Sequence, residues 1–272
     1  MMVSLAPGAA LALAACSGEV PDGDNANEAT ANTVAAANVQ VPAPPSATAQ
    51  SIAGKTDALD FTYAWPAQAA AVPELDGWLR GNAAKIRTGE EKSAVEDKAQ
   101  AAKNDYPFRL HSYEEKYAVV GDTPRMLVLV SEGYVYTGGA HGMPINTAII
   151  WDKATKKRLA TSALIDIPRF ASLARTRFCD ELDRQREKKR GEPVDRNSDG
   201  GIGGFNECVA LAKQLVLPVS KGGKVLDTVR VVIGPYEAGP YAEGSYVIDL
   251  PVDAGVLGTV KEGYKEVFGV GA

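Results

Sequence analysis

The sequence predicts an α+β fold: antiparallel sheet meanders packed with helices, in two sequential halves that form one compact unit. Strand-like and helical runs occur in blocks, without the regular alternation that builds a doubly wound parallel sheet. Short turn signals such as Gly121-Asp122-Thr123-Pro124 join the strand-like runs. Of the 272 residues, 45% are hydrophobic and 23% charged, which is ordinary for a globular chain of one or two domains.

The first segment is not part of that fold. Leu5 to Ala15 is almost wholly small or apolar and ends Leu13-Ala14-Ala15-Cys16, the pattern of a bacterial lipoprotein signal peptide. Residues 1–15 are expected to be that signal peptide, and Cys16 the lipidated residue. The apolar run is too short to span a bilayer, which needs about 20 residues. No Lys or Arg precedes it, a departure expected if translation starts upstream of Met1. Residues 16–56 read as a disordered Ala/Asn/Pro-rich tether, because the first aromatic residue is Phe61 and so little apolar surface cannot offset ordering entropy. Ser17 after the lipidated Cys points to the outer membrane rather than the inner one. The expectation is a cell-envelope lipoprotein facing the periplasm, its membrane partner engaged through the lipid anchor.

The folded elements follow in order. Asp60–Trp65 reads as a strand. A helix starts after Pro73 on Leu75, Leu79, Ala83 and Ile86, with Gly89 expected to interrupt it before a second, charged helix to Ala102. Phe108–Val120, Arg125–Tyr136 and Ile145–Trp151 are strands of one meander. Pro168 opens a helix with the apolar stripe Phe170, Leu173, Phe178 and Leu182, and its basic end, Arg184 to Arg190, reads as a solvated face supported by Asp180. Asn206–Gln214 is expected to be a short helix, Val225–Ile233 and Ser245–Leu250 strands, and Val252–Val267 a closing helix.

Charge and cysteine usage narrow the function. The formal net charge is −5, against the basic face of a nucleic-acid binder, so no nucleic-acid partner is expected. With Cys16 lipidated, Cys179 and Cys208 remain as a pair that an oxidising periplasm would join. The loop they close is worth about 3.6 kcal/mol of chain entropy. His111 and His141 are the only histidines, which leaves little room for a His-rich metal site, and no cofactor is called for.

Two segments carry a family likeness: Tyr134-Val-Tyr-Thr-Gly-Gly-Ala-His-Gly142, and Pro235-Tyr-Glu-Ala-Gly-Pro-Tyr-Ala-Glu-Gly244. Together they are similar to the paired domains of unknown function of PdaC/RsiV-like proteins. The likeness implies an N-terminal half at 57–142, a C-terminal half at 143–272, and no further catalytic domain. Relatives implied by it sense lysozyme as part of an anti-sigma factor, or precede a peptidoglycan deacetylase domain. A deacetylase of that kind needs an Asp and two His close in sequence, and here the two histidines are far apart. Lysozyme recognition does not carry over either, since no sigma-binding segment is visible.

The candidate binding residues are Tyr136, His141, Tyr236 and Tyr241, with Tyr134 beside them. Tyrosine offers a flat apolar face and a hydroxyl, suited to sugars or protein surfaces, and equally to a core. His141 has three readings: it locks the glycine-rich loop through both ring nitrogens, touches a ligand, or acts as acid/base. The paired glycines suggest backbone angles that a Cβ would resist. Asp195-Arg-Asn197-Ser-Asp199-Gly200 resembles the first half of a calcium loop, but Asn206 stands where its bidentate Glu belongs, so a polar surface loop is the expectation and no metal is assigned. The functional expectation is a non-enzymatic envelope module binding a protein or a peptidoglycan glycan; the alternative is an enzyme on envelope polymers that uses His141.

Overall fold

The computed structural model describes residues 47–198 and 204–271. Cys16, the signal peptide and most of the expected tether lie outside the described residues, as does Asp199 of the acidic loop. The fold is α+β, with antiparallel-dominated sheets packed with helices.

The larger sheet begins earlier than the sequence suggests. β1 (Gln50–Lys55) falls within the stretch assigned to the tether and pairs antiparallel with β2 (Leu59–Trp65). Ile52 is its one large apolar side chain and packs against the core beneath α2, while backbone pairing with β2 holds the rest. Along β2 every second residue is buried, from Leu59 to Trp65. A short helix, α1 (Ala67–Ala70), then leads into α2 (Pro73–Lys103). Gly89 does not interrupt α2. It is exposed, with nothing near its missing Cβ, and one glycine costs a helix interior only about 1 kcal/mol. Burial of Leu75, Leu79, Ala83, Ala94 and Ala101 against the sheet keeps the helix continuous.

α2 is a crossover. β3 (His111–Asp122) lies parallel to β2, so the sheet is not a pure antiparallel meander. From there the strands run antiparallel: β3 to β4 (Met126–Tyr136), then β6 (Ala148–Asp152) and β7 (Lys157–Leu159). β5 (Met143–Ile145) folds back on the end of β4, so the expected strand 145–151 is two pieces.

β4 and β6 form the wall between two cores. Leu127, Leu129, Ile149 and Trp151 face the core under α2 with Phe61, Tyr63 and Trp65. Met126, Val128 and Ile150 face the second core. Burial on both faces explains why Met126–Leu129 is apolar without alternation.

The second core is built by α3 (Thr161–Leu164), α4 (Ile167–Arg190) and a three-stranded antiparallel sheet. Asp166 caps α4 by accepting from the Arg169 N–H at 3.1 Å, and Gly191 ends it at φ +77°. Its buried stripe is Phe170, Ala174, Phe178 and Leu182; Leu173 is 49% exposed, so the stripe passes through Ala174 instead. The strands are β8 (Leu215–Val219), β9 (Thr228–Ile233) and β10 (Tyr246–Pro251). Where a helix over 206–214 is expected there is an irregular segment and a single 3-10 turn at Leu211–Lys213, so Cys208 lies outside any helix. The closing helix is likewise only α5 (Ala254–Leu257) and a 3-10 stretch, Glu262–Val267. Cys179 on α4 is disulfide-bonded to Cys208, with 5.5 Å between the Cα atoms.

Candidate aromatic binding site

β4 delivers Tyr134 and Tyr136 to its end with alternate residues on one face, and the Thr137–Gly142 loop follows. The C-terminal half delivers Tyr236 and Tyr241 on the segment between β9 and β10. These two segments, separated by about a hundred residues of sequence, meet. The His141 imidazole stacks on the Tyr241 ring with centroids 3.9 Å apart and planes 25° from parallel. Its Nε2 lies 3.2 Å from the Tyr236 hydroxyl, and its Nδ1 3.0 Å from the Gly142 carbonyl oxygen. The Tyr236 and Tyr241 rings are 5.8 Å apart. The neighbouring Tyr134 hydroxyl pushes the Tyr241 hydroxyl above the ordinary tyrosine pKa. Tyr136 is not in the stack: it donates to the Gly139 carbonyl at 3.0 Å and fixes the loop.

The cluster is open to solvent. Tyr236 is 49% exposed and Tyr134 39% exposed, and His141 and Met143 are exposed beside them. Tyr236 also holds φ +67°, a left-handed conformation that costs a bulky residue energy and needs outside support.

That support comes from the basic end of α4, which is not a solvated face. Arg186 is completely buried. Its Nε donates to the Ala238 carbonyl at 2.9 Å, one Nη to Asp183 at 3.1 Å, and the other to the Glu207 carbonyl at 2.9 Å. Burial lowers its pKa, and the Asp183 carboxylate opposes that. Arg190 donates to both Glu243 oxygens, at 2.9 and 3.2 Å, and to the Asn206 side chain at 2.7 Å. Burial would raise the Glu243 carboxyl, but the bonds from Arg190 and Tyr246 hold it below the usual carboxylate range. Lys189 donates to the Glu243 and Ser245 carbonyls at 2.6 and 2.8 Å. The 236–245 segment is thus held from below by three cations of one helix turn. Asp180 pairs with Arg196 at 2.8 Å, and Arg184 pairs with Glu181 instead.

In the acidic loop, the Asp195 carboxylate accepts from the Asn197 N–H at 2.9 Å, an ordinary turn bond. Among the described residues no group of three or more His, Cys, Asp or Glu is arranged to hold a metal ion.

Residues 52–144 match the family model described as Deacetylase PdaC. This segment is PdaC-like. It covers about a third of the chain, including Tyr134, Tyr136 and His141; Tyr236 and Tyr241 lie beyond it. A DUF3298 family protein from Pseudomonas aeruginosa has a solved structure with 15% identity and a TM-score of 0.45, over 83% of this chain and 98% of that one. Another DUF3298 member, from Bacteroides fragilis, shows 14% identity and a TM-score of 0.49, over 80% and 95%. No curated protein matches the chain.

Within the PdaC-like segment the loop glycines differ in what they require. Gly138 has φ +88°, whereas a Cβ at Gly139 would have only the His141 carbonyl near it, at 3.9 Å. A Cβ at Gly142 would meet the Tyr134 ring and the Val135 carbonyl at 2.5 Å. The constraint expected of the adjacent pair therefore rests on Gly138 and Gly142, not on Gly139. Gly142→Ala should lower stability by about 1–3 kcal/mol through overpacking, and Gly139→Ala by less than about 0.5 kcal/mol, in chemical denaturation.

Proposed function

We propose that the folded part is a binding module of the cell envelope, with the Tyr134, His141, Tyr236 and Tyr241 cluster as its contact surface. One observation carries this reading: two loops distant in sequence join to expose a stacked His141–Tyr241 pair beside Tyr236, which is held on a strained backbone. Aromatic groups at a solvent-exposed site, rigidly supported, are the usual anchors of protein and sugar recognition. The bland alternative, a closed aromatic core, does not suit rings that are 39% and 49% exposed. The arrangement disfavours an acid/base role for His141, because both ring nitrogens already face loop partners and, among the described residues, no carboxylate bonds to the ring. The remaining elements of the reading are the anchor and the compartment. Lipidation at Cys16 would tether the module to the membrane, facing the periplasm, where its ligand would be an envelope protein or a peptidoglycan glycan.

The test is retention of the chain on isolated peptidoglycan and on immobilised envelope proteins. Tyr241→Ala and His141→Ala should each reduce retention at least about tenfold, a loss of about 1.4 kcal/mol. Their thermal midpoints should shift little, because both side chains stack at the surface. Retention that falls only in proportion to a lost midpoint would reduce His141 to a loop tie. Unchanged retention with an unchanged midpoint would contradict the reading.

A further inference from the structure

The glycine-rich loop borders a second feature that the aromatic cluster does not use. A groove of about 470 Å³ lies between Asp97 on α2, the Tyr106–Pro107 segment, Arg109, and Thr137–Gly139. That volume is in the range of small-ligand sites. Its two charged groups are of opposite sign and do not neutralise each other. The Asp97 carboxylate is held by His111 Nε2 at 3.2 Å and approached by the Tyr106 hydroxyl at 3.5 Å, with 38% of its side chain exposed. His111 itself is buried and stacks on Phe108, so its ring is fixed and it fixes the carboxylate in turn. The Arg109 guanidinium spends one N–H on the Gly139 carbonyl, at 3.1 Å. Among the described residues it has no carboxylate partner. Lys98, next to Asp97, pairs with Asp57 instead, at 2.5 Å.

Glycine keeps the groove open. A Cβ at Gly138 would stand 3.8 Å from Asp97 Oδ2, 3.9 Å from the Arg109 Cβ and 3.9 Å from His111 Nε2. Any side chain there would crowd the groove beside the Asp97 carboxylate and the base of the Arg109 side chain, and φ +88° already disfavours one. The walls beside the charges are partly apolar, with the Tyr106 ring 44% exposed. A fixed anion and a cation with free donors, lining one groove beside an apolar wall, match a zwitterionic ligand that carries both an ammonium and a carboxylate.

We propose that this groove binds an α-amino carboxylate, with the ammonium on Asp97, the carboxylate on Arg109 and the side chain against Tyr106 and Pro107. Its source could be a free amino acid or the unblocked α-amino-carboxylate end of a larger envelope molecule; the shared chemistry is what the groove reads. The site is distinct from the aromatic cluster and does not depend on the function proposed for it.

The experiment follows the amide resonances of Gly138 and Gly139 while alanine, N-acetylalanine or alaninamide is added to the chain at millimolar concentration. Alanine should shift both amides saturably, and each blocked compound should bind at least about tenfold more weakly, since it lacks one charge. Asp97→Asn should abolish the preference for alanine over N-acetylalanine. Arg109→Gln should abolish the preference over alaninamide. Both variants should melt within a few degrees of the unaltered chain. A γ-glutamyl peptide, which is joined through its side chain and keeps both groups on one α-carbon, would identify the larger source if it binds more tightly than alanine; tighter binding of alanine would identify the free amino acid. Absence of saturable shifts, or equal binding of all three compounds, would overturn the proposal.

Discussion

The buried Arg186 is the contact on which the geometry of the site depends. Taking a guanidinium out of water costs several kcal/mol unless its donors are met. Here Asp183 neutralises it, and its other donors go to the carbonyls of Ala238 and Glu207. Those carbonyls belong to two irregular segments that could not satisfy themselves. One carries Tyr236 and Tyr241; the other carries Cys208, itself joined to α4 through Cys179. A single helix end thus sets the position of both, and Arg190 and Lys189 repeat the arrangement one turn on. Only with this support can a tyrosine sit at φ +67° with its ring half in solvent.

The opposing loop is fixed by different means. Its strand, β4, is buried on both faces at Met126–Leu129 and emerges into solvent toward Tyr134 and Tyr136. Close packing at Gly142 and the bonds from Tyr136 and Arg109 to the Gly139 carbonyl then shape the turn. One sheet strand therefore serves as the wall of two cores and as the arm that presents His141. The 236–245 segment meets it with a loop rather than a sheet edge, so His141 makes the contact, stacked on Tyr241 and facing the Tyr236 hydroxyl.

Much of this was legible in the sequence where a single period governed a run. The strand read at Asp60–Trp65 is β2, one residue short, and the Gly-Asp-Thr-Pro turn marked the β3–β4 hairpin. The two tyrosine-bearing segments stood out as a pair, and Cys179 with Cys208 followed from compartment and count. What could not be read depended on partners distant in the chain. β1 has a single large apolar residue, Ile52, too little to mark a strand in sequence, and forms because β2 offers an edge and a core for it. The basic run Arg184–Arg190 has the composition of a solvated helix face, yet it alternates between solvent and buried acceptors. A signal was present in hindsight: Arg186 falls on the same helix face as Phe178 and Leu182 at spacings of eight and four residues, one residue type apart from an apolar stripe. The pairing of Asp97 with His111 was equally hidden, because a histidine inside a strand pattern reads as an ordinary core residue.

The central claim is that the cations of the α4 end hold the tyrosine segment and, through it, the histidine loop. Hydrogen exchange of the unaltered chain and of Arg190→Gln tests it most directly, since the substitution removes the paired bonds to Glu243 but leaves Arg186 in place. The account predicts faster exchange in both 236–245 and 137–142, with protection in β2, β3 and β9 unchanged. Faster exchange confined to 236–245, with 137–142 as protected as before, would contradict it.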